Sequence, residues 1–151
     1  MRRICVFCGS SMGFSPRYAH RADAALAAGG EVHGIIPEPL RGRELAHAGL
    51  TALEVTAGMH PRKARMVELA DAFVAMPGGF GTLDELFEAL TAALLGHHAK
   101  PIVLVDLDGY YGALLRFIDD AVAAGFIRPE YRALLAVVAT PDEALALLAR
   151  M

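Results

Sequence analysis

The chain has 151 residues, 55% of them hydrophobic, and a formal net charge of −3. That length suits one domain, here read as 1–151, and is enough to bury a core. No apolar run approaches the roughly 20 residues of a bilayer-spanning helix, and a slightly acidic chain without a basic tract argues against nucleic acid as a partner.

The start, Met1-Arg2-Arg3-Ile4-Cys5-Val6-Phe7-Cys8-Gly9, superficially suggests a signal peptide. Its apolar core is too short and no small-residue cleavage site follows. Ile4 to Phe7 reads as a first strand and the protein as cytoplasmic. Cys5 and Cys8 have CxxC spacing, but positions three apart on a strand point to opposite faces. Two buried, reduced thiols are expected, not a redox or metal pair. A helix follows from Pro16 to about Ala28, ended by Gly29-Gly30. Val32 to Ile36 is a second strand stopped by Pro37 and Pro39, and Leu53-Glu54-Val55 a short third.

Helical spacing returns from Pro61 to Leu69, and Phe73 to Met76 forms a fourth strand. A glycine-rich loop then opens another helix. Pro101 to Val105 is a buried strand broken at Asp106 to Gly109. Leu114 to Ala124 is a helix closed by Gly125, Leu134 to Val138 a last strand, and Pro141-Asp142-Glu143 starts a final helix to Arg150. Apolar strands alternating with helices predict an α/β fold, a Rossmann-like parallel sheet with helices on both faces. Ligands of such sheets bind beyond the carboxyl ends of the strands. The glycine loop, Gly9-Ser10-Ser11 and Met59-His60 are expected at that edge.

The loop, Met76-Pro77-Gly78-Gly79-Phe80-Gly81-Thr82-Leu83-Asp84-Glu85, carries the most chemistry. A strand emptying through glycines into a helix N-terminus offers backbone amides to an anion, with no Cβ in the way. It lacks the lysine of a Walker loop and is not a clean dinucleotide fingerprint. The alternative is a tight turn with a capping box, Thr82 as the cap and Glu85 reaching back.

A second cluster is Met59-His60-Pro61-Arg62-Lys63-Ala64-Arg65-Met66. With Pro61 at the first helical position, Arg62 and Lys63 fall in the first turn, where the helix dipole disfavours cations. An anionic ligand would offset that cost; a solvated basic face is the alternative. Arg65 fits either. The histidines form no metal pattern.

Three segments together, Phe7-Cys8-Gly9-Ser10-Ser11, Met59 to Met66 and Pro77 to Glu85, resemble the Lonely Guy family. These are cytokinin riboside 5′-monophosphate phosphoribohydrolases, often mislabelled lysine decarboxylases. Asp108-Gly109-Tyr110-Tyr111 and Gly125-Phe126-Ile127 look like the family's C-terminal half, so the resemblance covers nearly the whole chain. It implies hydrolysis of an N6-substituted adenosine 5′-monophosphate to free base and ribose 5-phosphate, without a cofactor or metal. Arg62 and Glu85 match the catalytic pair, and Gly78, Gly79, Gly81 and Thr82 the phosphate loop. Lys63, Ser10 and Met59 join the nucleotide-binding set. The resemblance also implies a homodimer. A carboxylate suits the oxocarbenium character that N-glycoside cleavage builds on ribose, and an arginine suits the phosphate or departing base.

The resemblance breaks between His20 and Arg21. There the family carries the rest of a helix, a second strand and another loop of the GGGxxGxMG type. A true deletion predicts weak or absent hydrolysis. The competing reading is a nucleotide-binding or carrier module of the same fold, which needs the loop but not Glu85. Lysine decarboxylation is rejected: that chemistry usually needs pyridoxal phosphate on a lysine, and neither Lys63 nor Lys100, the two lysines present, has a cofactor context.

Overall fold

The computed structural model describes residues 3–9, 29–40 and 49–151. Among them the strands are β1 (Ile4–Phe7), β2 (His33–Pro37), β3 (Ala52–Thr56), β4 (Ala72–Ala75), β5 (Ile102–Val105) and β6 (Leu135–Val138). The helices are α1 (Met59–Leu69), α2 (Phe80–Leu94), α3 (Gly112–Ala123), the short α4 (Pro129–Arg132) and α5 (Pro141–Arg150). The helix expected from Pro16 to Ala28 and the break at His20 and Arg21 lie outside the described residues. The chain divides into two compact units, Met1–Gly9 with Ala70–Met151, and Ser10–Leu69.

The first unit is a four-stranded parallel sheet in the order β1-β4-β5-β6. Strands β4 and β5, AFVA and IVLV, are buried at every position, as expected of strands covered on both faces. Alternation along them divides the core. Ala72, Val74, Met76, Val103 and Val105 pack with Ala144 and Leu148 of α5, while Phe73 stacks on Phe7 with ring centroids 5.6 Å apart. Helix α2 packs against β1 and β4, with Leu86 and Ala89 buried. The expected α/β architecture, a parallel sheet flanked by helices, is present. His98 stacks at a tilt on Phe73, 5.3 Å between centroids. Burial, with help from Lys100, holds its imidazole below the usual histidine pKa, against the pull of the Ala89 carbonyl. Its role is packing.

The second unit pairs β2 with β3 in parallel, from His33 opposite Ala52 to Pro37 opposite Thr56. Helix α1 packs on both strands. Strand β3 departs from the expectation of a buried strand: Ala52 to Val55 are exposed, so this small sheet is not covered as β4 and β5 are. Arg65 clamps α1 to β3. Its Nε donates to both Glu54 carboxylate oxygens at 3.0 Å, and an Nη donates to Glu68 at 2.8 Å. The bonds to these two carboxylates, Glu68 first, raise the guanidinium pKa further. Arg65, left open between ligand binding and structure, is a structural ion pair.

The thiol expectation needs correction. Cys5 is half-buried but Cys8 is exposed, because β1 ends at Phe7 and Cys8 lies beyond the strand. Neither forms a disulfide. No helix among the described residues is long and apolar enough to cross a membrane.

Candidate active site

The site is built on the carboxyl edge of the four-stranded sheet. Strand β4 continues one residue past its end, the Met76 amide donating to the Phe7 carbonyl at 2.8 Å. The chain then turns through Pro77, Gly78 and Gly79 into α2. The first bond of the helical ladder runs from the Leu83 amide to the Gly79 carbonyl at 3.1 Å. The ladder therefore leaves the amides of Phe80, Gly81 and Thr82 outside it. The N-cap is Gly79, which has no side chain to cap the helix, and the first turn carries no acidic residue. The positive end of a 15-residue helix thus has no carboxylate in its first turn.

This geometry overturns the capping box at Thr82. Thr82 is the third helical residue and Glu85 the sixth, one turn too deep to reach the cap amide. The motif is formed instead at the start of α5. There the Thr140 hydroxyl accepts from the Glu143 amide at 3.2 Å, and the Glu143 carboxylate accepts from the Ala139 amide at 2.9 Å. The difference lies in packing. Thr82 is 2% exposed and wedged against Gly78, whereas Thr140 faces the open start of its helix.

The three loop glycines are not equivalent, contrary to the expectation that each admits close approach for the same reason. A Cβ on Gly78 would overlap the Thr82 hydroxyl and lie 2.8 Å from the Thr82 Cβ and 2.9 Å from the Gly9 amide nitrogen. Gly78 is held between the β1 end and α2. At Gly79 and Gly81 a Cβ would meet nothing within 4 Å among the described residues, so these two leave room for an incoming group. The Thr82 hydroxyl, fully buried, has no hydrogen-bond partner among the described residues. A buried orphan hydroxyl is costly, and its place beside three open amides suits an anionic oxygen. Glu85, one turn on, is 9% exposed. The loop glycines, Thr82 and Glu85 are thus brought together in one unit, with Gly9 against them.

Ser10 lies outside the described residues. Met59, Arg62 and Lys63 belong to the other unit. Met59 is exposed and opens α1, and Arg62 and Lys63 are half-buried on it. Because α1 starts at Met59, Pro61 is its third residue and not its first. Its missing N–H still costs nothing, since the ladder begins with the Arg62 amide donating to the Gly58 carbonyl at 3.1 Å. Arg62 and Lys63 therefore begin the second turn, and the dipole argument against cations there weakens.

Two residues of the site were missed by sequence reasoning. The Tyr111 hydroxyl donates to the Met76 carbonyl at 2.7 Å and the Tyr110 hydroxyl to the Gly78 carbonyl at 2.9 Å. Both come from the β5–α3 connection, far away in sequence. No local pattern announces such a contact.

The chain matches the family described as "possible lysine decarboxylase" over residues 19–148. It is 41% identical to cytokinin riboside 5′-monophosphate phosphoribohydrolase LOG7 of Arabidopsis thaliana, over 93% of this chain and 77% of the relative. It is 42% identical to LOG3 of the same plant, over 94% and 79%. It is 41% identical to the probable phosphoribohydrolase LOGL9 of Oryza sativa subsp. japonica, over 93% and 74%. These alignments run over 169 to 173 residues, more than the 151 of this chain, so the relatives carry residues within the matched region that are absent here. Identity at this level over most of both chains settles the family: the protein belongs to the Lonely Guy family of cytokinin riboside 5′-monophosphate phosphoribohydrolases.

Proposed function

We propose that this protein hydrolyses the N-glycosidic bond of adenosine 5′-monophosphate or an N6-substituted form of it, releasing the free base and ribose 5-phosphate. The observation that carries this reading is the uncapped N-terminus of α2, with its open amides, orphan Thr82 hydroxyl and buried Glu85. The amides of Phe80 and Gly81 and the Thr82 hydroxyl bind the 5′-phosphate, with Gly79 and Gly81 clearing its path. As the C1′–N9 bond lengthens, ribose takes on oxocarbenium character. Glu85 orients a water and takes its proton as the oxygen bonds to C1′, and the bonding pair leaves with the base. Arg62, assigned by the match of its segment to the family, donates to the phosphate or the departing base. Lys63, Met59 and Ser10 complete the nucleotide-binding set on the same ground. We propose that residues 1–151 work as a single domain.

Incubation with AMP and with isopentenyl-AMP, followed by chromatography, tests this. Free base and ribose 5-phosphate in equal amounts are expected. Intact nucleotide after exhaustive incubation would overturn the hydrolase reading. The residues missing relative to the curated enzymes favour one second reading, nucleotide binding without turnover. It predicts saturable AMP binding with no base released.

We also propose a homodimer and a cytoplasmic location. Phe87, Leu94 and Leu95 are exposed on or just beyond α2, apolar surface that a second copy would cover. Sedimentation at a mass of two chains is the expected result, and a single-chain mass at micromolar concentration would refute it. Two cysteines outside any disulfide fit a reducing compartment.

A further inference from the structure

The link between β5 and α3 is a fixed turn. The Asp106 amide donates to the Val138 carbonyl at 2.8 Å, and the Asp106 carboxylate accepts from the Tyr111 amide at 2.6 Å. Between them Asp108 and Gly109 both take left-handed backbone angles, φ 54° and 74°. Aspartate tolerates that region better than most side chains, and glycine carries no penalty there. The turn delivers two adjacent phenols in edge-to-face contact, centroids 4.8 Å apart at 89°. Tyr111 is buried and Tyr110 is 47% exposed. Their hydroxyls reach the Met76 and Gly78 carbonyls of the glycine loop.

A peptide unit is planar, so fixing a carbonyl fixes the N–H of the next residue in the opposite direction. The Gly78–Gly79 unit joins two glycines, residues with wide intrinsic backbone freedom. Its carbonyl is the one Tyr110 holds. Met76–Pro77 has no N–H to aim, and there Tyr111 anchors the loop's base.

We propose that Tyr110 is a positioning residue. By holding the Gly78 carbonyl it sets the Gly78–Gly79 peptide plane, aims the Gly79 amide, and keeps the phosphate loop in its binding form before ligand arrives. This rests on the phosphate-binding reading of the loop and adds to it a residue that touches no substrate. Pre-organisation of this kind shows in ligand affinity, not in the bond-breaking step.

The test is Tyr110→Phe, which removes one hydroxyl from a half-exposed ring and leaves the Tyr111 contact intact. Calorimetric binding of ribose 5-phosphate is expected to weaken about 3- to 10-fold, the scale of one net hydrogen bond. KM for AMP should rise by a similar factor while kcat changes less than about twofold. Amide hydrogen exchange of the ligand-free protein should quicken at Gly79 and Phe80 but not in β5. Unchanged ribose 5-phosphate affinity, unchanged Gly79 exchange, or a fall in kcat with KM unaltered would each overturn the proposal. The hydrolase reading fails separately, if the parent protein binds ribose 5-phosphate but releases no base. Tyr110→Phe would still weaken binding in that case.

Discussion

Glu85→Gln is expected to lower kcat for AMP hydrolysis by about 100-fold or more, the usual scale for removing a general base, with the thermal midpoint nearly unchanged. The substitution keeps size and hydrogen-bonding atoms and removes the charge and the proton affinity. Its interpretation is clean because Glu85 has no capping duty. It is the sixth residue of α2, and Gly79 caps that helix without any side-chain bond. A loss of activity with an unchanged thermal midpoint is therefore a loss of chemistry and not of the helix start. A variant as active as the parent in a base-release assay would remove Glu85 from the chemistry. A marked fall in thermal midpoint would make it a structural carboxylate.

Gly78→Ala carries the second large effect, and Gly81→Ala is its control. The added methyl at Gly78 meets the Thr82 side chain and the Gly9 backbone, 2.8 and 2.9 Å away at the nearest Cβ and amide nitrogen. Backbone on one side and a buried threonine on the other cannot both yield cheaply. A destabilisation of about 1–3 kcal/mol is expected, the range for overpacked sites, together with loss of AMP binding. At Gly81 the methyl meets nothing within 4 Å and lies in the first turn of α2. That variant should be as stable as the parent or up to about 1 kcal/mol more stable, yet bind AMP less well because the methyl occupies ligand space. Urea denaturation and AMP titration of both variants check the pair. Equal stability of Gly78→Ala and the parent would mean that Thr82 moves aside, and the loop is less rigid than its contacts indicate.

The elements with the strongest local signal were legible in the sequence. Apolar runs bounded by turn residues placed β4, β5 and β6 to within a residue or two, and Pro141-Asp142-Glu143 marked a true helix start. The Ser/Thr-x-x-Glu spacing at Thr82 offered a capping box as the alternative reading and does not form one, because burial against Gly78 and Gly9 is a tertiary fact that spacing does not contain. Pro61 misplaced the start of α1 for a related reason: proline is tolerated anywhere in a first turn, so it marks the region and not the residue. The four residues of α4 are too few to show a period. In the site, the glycines, Thr82 and Glu85 were visible because they are contiguous. Tyr110 and Tyr111 were not, since the hydroxyl of each reaches carbonyls more than 30 residues away through a turn set by Asp108 and Gly109.

The exposed thiol of Cys8 has a practical consequence. It precedes Gly9, whose amide lies against Gly78, and so is a near neighbour of the glycine loop, while Cys5 is half-buried on the strand. The chain contains no tryptophan and has no strong intrinsic fluorophore to follow binding. A maleimide dye coupled at Cys8 would supply that reporter next to the loop. The same position makes the protein vulnerable, for an oxidant or alkylating agent carried over from purification would modify a thiol beside the proposed phosphate site.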